Sequence, residues 1–151
     1  MIPQPSPFEL LDFAILNCNF SFKAFDVNDN QSEIVNHYHI DVDFGIVEQP
    51  DHVKIFVKAS INQNEDNSLS GYSIFAEGAA AFKFNVDANL SDEEKSGYLH
   101  LSGVSIALNA LRGFIVSLTA NAPLGRYVLP TFDINDLLQQ KANHAIEKNE
   151  Q

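Results

Sequence analysis

Four segments of the chain alternate apolar and polar residues with a period of two, which predicts four β-strands in succession. They cover residues 13–25, 38–46, 53–61 and 72–86. The first strand has one apolar face, made of Ala14, Leu16, Cys18, Phe20 and Phe22. Because neighbouring strands are joined by short, polar or turn-rich connections, the pattern favours a four-stranded antiparallel meander with one face covered.

The segment that follows the strands has a helical period instead. A capping box at Ser91 and Glu94 indicates where this long helix begins, and Pro123 indicates where it ends. Between residues 96 and 125 the only full charge is Arg112. The helix carries two stripes, one of Leu101, Val104, Ser105, Leu108, Leu111, Ile115 and Leu118, the other of Leu99, Ile106, Ala110, Phe114 and Ser117. A surface helix needs only one apolar stripe, so the second predicts cover from something besides the chain's own sheet.

At 151 residues the chain is predicted to form one α+β domain. This domain covers residues 13–140. A Pro-rich, extended segment at residues 1–12 precedes it, and a polar tail at residues 141–151 follows it and is expected to fray. A shorter closing helix is predicted to begin at Thr131 or Asp133.

Charge and composition narrow the classes of partner. The chain has 20 acidic and 9 basic residues, a formal charge of −11 and a pI near 4.6, so it repels nucleic acid and anionic membranes. The apolar helix is interrupted by Gly103 and Gly113 and carries polar side chains, which argues against membrane insertion. The single cysteine, Cys18, cannot form an internal disulfide, and the N-terminus does not resemble a signal peptide. We therefore expect a cytoplasmic protein.

Candidate catalytic and metal-binding groups are few. His37, His39 and Asp41 stand at alternate positions of the second strand, a spacing that could hold a metal ion, although a solvated strand face explains the same pattern and is favoured. Asp41 and Asp43 could form a carboxylate pair, and Cys18 could act as a nucleophile with a histidine. No nucleophile elbow or glycine-rich phosphate loop accompanies them in the sequence. We therefore expect no enzymatic activity, no metal and no cofactor.

Three stretches of the sequence resemble the SecB export chaperones. Residues 20–24 read Phe-Ser-Phe-Lys-Ala, which is similar to the family's Ile-Ser-Phe-Glu-Ala in the first strand. Residues 111–130 resemble the family's arginine-bearing helix and its exit at a proline, and residues 133–137 resemble its closing segment. The resemblance covers residues 13–140. It implies a cytosolic homotetramer, a dimer of dimers, whose hydrophobic grooves hold unfolded, secretion-competent clients.

With this resemblance we expect an ATP-independent holdase that binds unfolded preproteins by non-directional burial of apolar side chains. The candidate client-binding residues surround the first crossover and the closing helix, and they are Phe20, Phe22, Phe25, Val27, Ile34, Tyr38, Leu137 and Leu138. The residues predicted at the contact between subunits are Leu101, Val104, Leu108, Leu111, Ile115 and Ala80.

In its choice of partner the chain departs from the family. The resemblance implies that acidic positions of the first strand contact the basic tail of the motor SecA, but Asn19 and Lys23 occupy those positions here. Contact with SecA is therefore expected to be weakened, or displaced to Asp41, Asp43 and Glu77. Two other functions stay open. One is a SecB-like adaptor dedicated to a single partner, such as an antitoxin, and the other is a hotdog-type thioesterase or ligand-binding domain, whose helix follows the first strand and not the fourth.

Overall fold

Four antiparallel strands form one sheet in the computed structural model, which describes residues 1–63 and 68–149. The strands are β1 (Phe8–Lys23), β2 (Ile40–Glu48), β3 (Val53–Ile61) and β4 (Gly71–Phe84). They lie in the order β1-β4-β3-β2. The predicted α+β class with a four-stranded antiparallel sheet is confirmed. The meander holds for β2, β3 and β4, but it is wrong for β1.

β1 pairs with β4 because its connection to β2 is too long for a hairpin. The connection contains a helix, α1 (Gln31–Asn36), which is capped by Asn30 through a hydrogen bond to the N–H of Glu33. The sequence predicts only a polar link at residues 26–33. A meander needs a tight turn between consecutive strands, whereas this helical link carries the chain from one edge of the sheet to the other. β1 and β2 are therefore the two edge strands.

β1 begins earlier than predicted and does not alternate simply. Residues 8–12 belong to the sheet and not to the extended lead-in. Its pairing with β4 shifts after Leu10 and again after Ile15, and each β-bulge moves the residues that follow to the opposite face. The residues that share the buried face of β4 are Phe8, Leu10, Phe13, Ile15, Cys18, Phe20 and Phe22. Ala14 therefore lies on the opposite face, contrary to the predicted alternation.

A long helical run covers the buried face of the sheet. After a 3-10 turn (Val86–Ala88) it consists of α2 (Asp92–Gly97), a π-helical stretch (Tyr98–Gly103) and α3 (Val104–Thr119). The predicted capping box is confirmed, since the Ser91 hydroxyl accepts the N–H of Glu94 and the Glu94 carboxylate accepts the N–H of Ser91. The helix begins where the sequence places it.

The helix and the sheet approach each other closely at Gly103. A Cβ atom there would lie 2.3 Å from Cδ1 of Ile55 and 3.1 Å from Cε1 of Phe8, so only glycine fits without displacing them. The buried side of α3 is formed by Val104, Ala107, Leu108, Leu111 and Ile115. These side chains and the inner faces of β3 and β4 make the hydrophobic core.

The segment that leaves α3 is tied back to the helix by polar side chains. The hydroxyl of Thr119 accepts the N–H of Tyr127 at 2.8 Å. The guanidinium of Arg112 donates to the carbonyl of Leu129 and to that of Pro130, each at 2.7 Å. α3 ends at Thr119, just before the proline that the sequence predicts as its stop. These bonds fix the position from which the last helix begins.

The closing helix, α4 (Ile134–Asn149), runs beside β2. The carboxylate of Asp133, one of the two predicted starting residues, caps its first turn. The helix continues through residues 141–149, where the sequence predicts a polar tail. Lys141 forms an ion pair with Asp43 of β2, so this polar segment has a partner in the sheet. The last two residues of the predicted tail lie outside the described part of the chain.

Candidate polypeptide-binding surfaces

Aromatic side chains gather where β1 ends and the crossover begins. The rings of Phe20 and Phe22 lie 5.5 and 6.0 Å from that of Tyr72, centre to centre, and Phe22 lies 6.4 Å from Phe25. Phe22 is 37% exposed, and Phe20 and Phe25 are half-buried. We call Phe20, Phe22, Phe25 and Tyr72 the crossover cluster. Three predicted client-binding residues thus come together in one accessible apolar surface.

The crossover cluster rests on the buried side chain of Tyr38. Its hydroxyl accepts the N–H of Tyr72 at 2.8 Å and donates to the carbonyl of Ser70 at 3.0 Å. Gly71 has a φ of 101°, and a Cβ atom there would lie 1.8 Å from the Tyr38 hydroxyl, so the position requires glycine. Tyr38 is only 6% exposed. This predicted client-binding residue therefore supports the cluster from below and does not form its surface.

Uncharged hydrogen bonds connect the cluster to the exit of α3. The hydroxyl of Tyr72 donates to the carbonyl of Gly125 and accepts the N–H of Leu124, each at 2.8 Å. Burial raises the pKa of Tyr38 and of Tyr72. Burial, followed by the proximity of Tyr38, raises the pKa of Tyr127 to about 12. These hydroxyls therefore stay protonated at neutral pH.

Two further predicted residues, Val27 and Ile34, flank the crossover. Val27 is fully exposed, and Ile34 on α1 is half-buried against the core. Beside α1 lies a cavity of about 310 Å³, lined by residues outside the predicted set that include Val35, Leu124, Arg126 and Tyr127. In residues 127–129 an exposed side chain stands between two buried ones, and this alternation is the sequence signal that could have revealed the segment.

A second apolar surface lies at the opposite edge of the sheet, between β2 and α4. This β2–α4 groove has a volume of about 390 Å³, and its apolar walls include Val42, Phe44 and Leu137. Leu138 is half-buried against the core beside it. Because β1 and β2 are opposite edge strands, the predicted client-binding residues form two separate surfaces.

The carboxylate of Asp43 links the β2–α4 groove to its neighbours. It accepts the N–H of Phe44 at 2.8 Å and lies 2.5 Å from Nζ of Lys141 and 3.6 Å from Nζ of Lys58. Burial raises the pKa of Asp43. The hydrogen bonds from Lys141 and Phe44, together with the charges of the two lysines, outweigh burial and leave this pKa below its ordinary value. Nζ of Lys141 also lies 5.7 Å from the centre of the Phe44 ring, a cation–π distance.

The helix stripe predicted to contact other subunits faces the chain's own sheet. Four of its residues, Val104, Leu108, Leu111 and Ile115, are at most 3% exposed, as is the predicted contact residue Ala80 of β4. In this structure the five are covered within one chain, and a subunit contact through them stays a prediction. Leu101 is 44% exposed and stays accessible. Both stripes of the helix are apolar, so periodicity could not choose between them; packing against the sheet buries the first stripe in α3, and Leu99 of the second stripe is buried as well.

The opposite side of α3 and part of β1 are uncovered. On α3, Ile106 is 38% exposed, and a Cβ atom at Gly113 would meet no atom within 4 Å. On β1, Leu10 and Leu16 are 42% and 54% exposed. The helical run 92–119 is long and apolar enough to cross a membrane, a test that the core helix of a soluble protein also passes. In its most apolar stretch of 18 residues, 33% is buried. We call these exposed side chains the uncovered apolar face.

His37, His39 and Asp41 do not share a strand face, contrary to the predicted spacing. His37 follows α1, with its Nδ1 2.7 Å from the carbonyl of Glu33, and β2 begins only at Ile40. Within the described residues, no three His, Cys, Asp or Glu side chains lie close enough together to hold a metal ion.

The face of the sheet that points away from the helices has an uneven charge distribution. Asn19 and Lys23, the two departures from the SecB pattern, pair with outward-facing positions of β4 at one edge. Asp41 and Asp43 lie on the same outer face at the other edge. Glu77 of β4 and Glu9 and Asp12 of β1 share this outer face, so carboxylates lie across the sheet while a lysine occupies the end of β1.

Comparison with known proteins identifies the fold. A SecB-like chaperone of Mycobacterium tuberculosis, Rv1957, solved in complex with a ChAD peptide from the Rv1956 HigA1 antitoxin, is similar with a TM-score of 0.60 and 15% identity, over 83% of this chain and 90% of that one. A protein of unknown function from Streptococcus agalactiae has a TM-score of 0.43 and 10% identity over 83% and 97% of the two chains. No protein-family model and no curated protein matches the sequence. The chain thus has a SecB-like fold.

Proposed function

We propose that this chain is an ATP-independent chaperone that holds unfolded preproteins for export by burying their apolar segments. The observation that carries the proposal is the crossover cluster, a set of accessible aromatic rings with Phe22 at its surface, on a SecB-like fold. Burial of apolar area is non-directional, so such a surface accepts many sequences. At roughly 25 cal/mol per Å², about 500 Å² would supply on the order of 12 kcal/mol before ordering costs.

A dedicated adaptor is the second candidate, and one comparison favours it. The similar chaperone Rv1957 was solved with a peptide from an antitoxin. On this alternative, the same surfaces of our chain would bind one partner protein in place of many clients. The breadth of clients separates the two functions.

The proposed assembly is a cytoplasmic homotetramer. The uncovered apolar face supports it, because Ile106, Leu10 and Leu16 leave apolar area on one chain that another copy would remove from water. The proposed partners are unfolded polypeptides and, with reduced affinity, SecA. The absence of an enzymatic role is part of the proposal.

Suppression of aggregation tests the holdase proposal. The protein should slow the aggregation of several unrelated, chemically unfolded clients at near-stoichiometric ratio, equally with and without ATP. Phe22→Asp should weaken this protection several-fold, since a charge replaces an exposed ring of the crossover cluster. Val86→Asp is the matched control, because Val86 is 85% exposed and lies beyond the other end of β4.

Two results would change the conclusion. Protection of a single partner, with none of the unrelated clients protected, would establish the dedicated adaptor. Equal loss of protection in Phe22→Asp and Val86→Asp would mean that the crossover cluster is not the binding surface.

A further inference from the structure

The cavity beside α1 lies between the crossover and the segment that leaves α3. Its volume is about 310 Å³. α1 contributes the apolar Val35 and three uncharged polar side chains, and the segment after α3 contributes Leu124, Arg126 and Tyr127. The cavity borders the crossover cluster, with which it shares Tyr72. It is therefore placed next to the surface that carries the proposed function.

The charge in this cavity is opposite to that of the whole molecule. Among the lining residues that the structure describes, Arg126 carries the one full charge, and none is acidic. The β2–α4 groove, by contrast, is lined by Asp41 and Asp43. In a chain with a formal charge of −11, the cavity is a local positive site with apolar walls.

The guanidinium of Arg126 is accessible to a ligand. Its side chain is exposed, and no carboxylate among the described side chains pairs with it. Arg112, the other arginine of the chain, instead donates to the carbonyls of Leu129 and Pro130. A guanidinium presents its N–H donors in a planar fork that matches the two oxygens of a carboxylate.

Hydrogen bonds hold the backbone on both sides of Arg126. The hydroxyl of Tyr72 accepts the N–H of Leu124 and donates to the carbonyl of Gly125, each at 2.8 Å. The N–H of Tyr127 donates to the hydroxyl of Thr119, also at 2.8 Å. Because the backbone is already fixed, a ligand has to order only the arginine side chain, which lowers the entropic cost of binding.

We propose that the cavity beside α1 binds an acidic side chain of an unfolded polypeptide, with the guanidinium of Arg126 as its partner. An apolar residue next to the acidic one would pack against Val35 and Leu124. The volume is at the small end of the range of ligand pockets, which suits a short stretch of polypeptide. The inference rests on the proposed function, because it takes an unfolded client as the ligand and adds a preference among clients.

Two peptides that differ in one residue test this site. Both are acetylated and amidated, so neither has a terminal charge, and one contains Leu-Glu-Phe where the other contains Leu-Gln-Phe. The full-length protein should bind the Glu peptide about two- to fivefold more tightly, the difference that an exposed ion pair supplies. The net charge of −11 opposes this preference, so the preference requires a local cation. Fluorescence anisotropy of labelled peptides measures both affinities.

Three variants locate the preference. Arg126→Gln should remove it and leave the affinity for the Gln peptide unchanged. Lys95→Gln removes the same charge from an exposed position of α2, so it is the matched control and should keep the preference. Ser32→Asp adds a carboxylate to the lining of the cavity and should also remove the preference, because the new carboxylate repels that of the peptide.

Four results separate the conclusions. Equal binding of the two peptides by the wild type, or a preference that survives Arg126→Gln, would overturn the site. A Gln peptide with a free C-terminus that binds as tightly as the capped Glu peptide would assign Arg126 to terminal carboxylates and overturn the proposed ligand. If the preference is as expected but no client is protected from aggregation, the proposed function fails and the site stands. Protection of clients without the preference would overturn the site and leave the proposed function.

Discussion

The crossover cluster and the β2–α4 groove present apolar surface at opposite edges of one sheet, but different forces hold them in shape. The cluster stands on buried tyrosine hydroxyls, of which Tyr38 and Tyr72 bond directly to the backbone. The groove is bounded by α4, whose far half is fastened through the exposed charges of Lys141 and Asp43. Buried neutral hydrogen bonds are insensitive to salt, whereas exposed ion pairs are screened. We infer that the first surface is permanent and the second adjustable.

The largest expected effect concerns the helix on which both surfaces depend. Leu108 is 3% exposed and faces the sheet, so Leu108→Asp buries an unpaired charge and should lower the free energy of unfolding by about 3–5 kcal/mol. Ile106→Asp, on the exposed side of α3, should keep the fold and dissociate the proposed tetramer. Urea unfolding and light scattering, measured on both variants, separate these outcomes. A tetramer that survives Ile106→Asp would remove this side of α3 from the subunit contact.

The next prediction compares the stability of two glycine variants, one beside the crossover cluster and one on β2 beside the β2–α4 groove. Gly71 has a positive φ and no space for a Cβ atom beside Tyr38, so Gly71→Ala should lower the free energy of unfolding by about 1–3 kcal/mol and shift the crossover cluster. Gly45 on β2 has open space, and Gly45→Ala should be neutral. Thermal unfolding measures both. Equal loss of stability in the two variants would contradict the role given to Tyr38.

These residues also show what the sequence could predict. The alternation in β3 specifies its buried face completely, and the capping box locates the start of α2. The bulges after Leu10 and Ile15 leave no mark in the pattern, so a one-residue shift of face went unseen. Which stripe of α3 is buried depends on its packing against the sheet, which the helical period alone does not specify. The ion pair between Lys141 and Asp43 could not be predicted either, because the two residues are far apart in the sequence.

Alkaline pH should lower the free energy of unfolding through Tyr127, which lies near Tyr38 under the crossover cluster. The pKa of Tyr127 is raised from 10.0 to about 12 in the folded chain, so between these values the unfolded chain releases a proton that the folded chain keeps. Stability therefore falls as the pH rises, by roughly 2.7 kcal/mol at most from this group. Unfolding midpoints in urea, measured from pH 10.0 to about pH 12, the ordinary and the raised pKa of Tyr127, test the effect. Tyr127→Phe should flatten the profile.

Acidic pH should also lower the free energy of unfolding, through Asp43 beside the β2–α4 groove, but by a smaller amount. The pKa of Asp43 is lowered below its ordinary 3.8, so its stabilising contribution is complete above that pH and is lost as the pH falls through the folded value. The charged or titratable groups around this carboxylate include Lys58, Lys141, Asp41, Glu77 and His144. Because the pair is partly exposed, the loss should stay below about 1 kcal/mol. The comparison uses the protection of the α4 amides from hydrogen exchange, relative to the unfolded chain at the same pH. Below pH 4, roughly the ordinary pKa of Asp, this protection in the wild type should match that of Asp43→Asn at neutral pH. If this protection is the same in acid as at neutral pH, Asp43 does not hold α4 in place.

The smallest effect concerns the outer face of the sheet, where Lys23 lies at the end of β1 and Asp41 on β2. Because Lys23 and Asn19 replace the acidic positions that the SecB resemblance implies, a basic SecA tail should bind weakly, or at other carboxylates of this face such as that of Asp41. Each exposed charge pair contributes about 0.2–1 kcal/mol. Lys23→Glu should therefore raise affinity for the tail about two- to fivefold, and Asp41→Asn should lower it only if the contact is displaced toward β2. Titration calorimetry against the SecA tail of the same host decides between these positions. Tight, salt-sensitive binding that neither substitution alters would place the contact on another face of the protein.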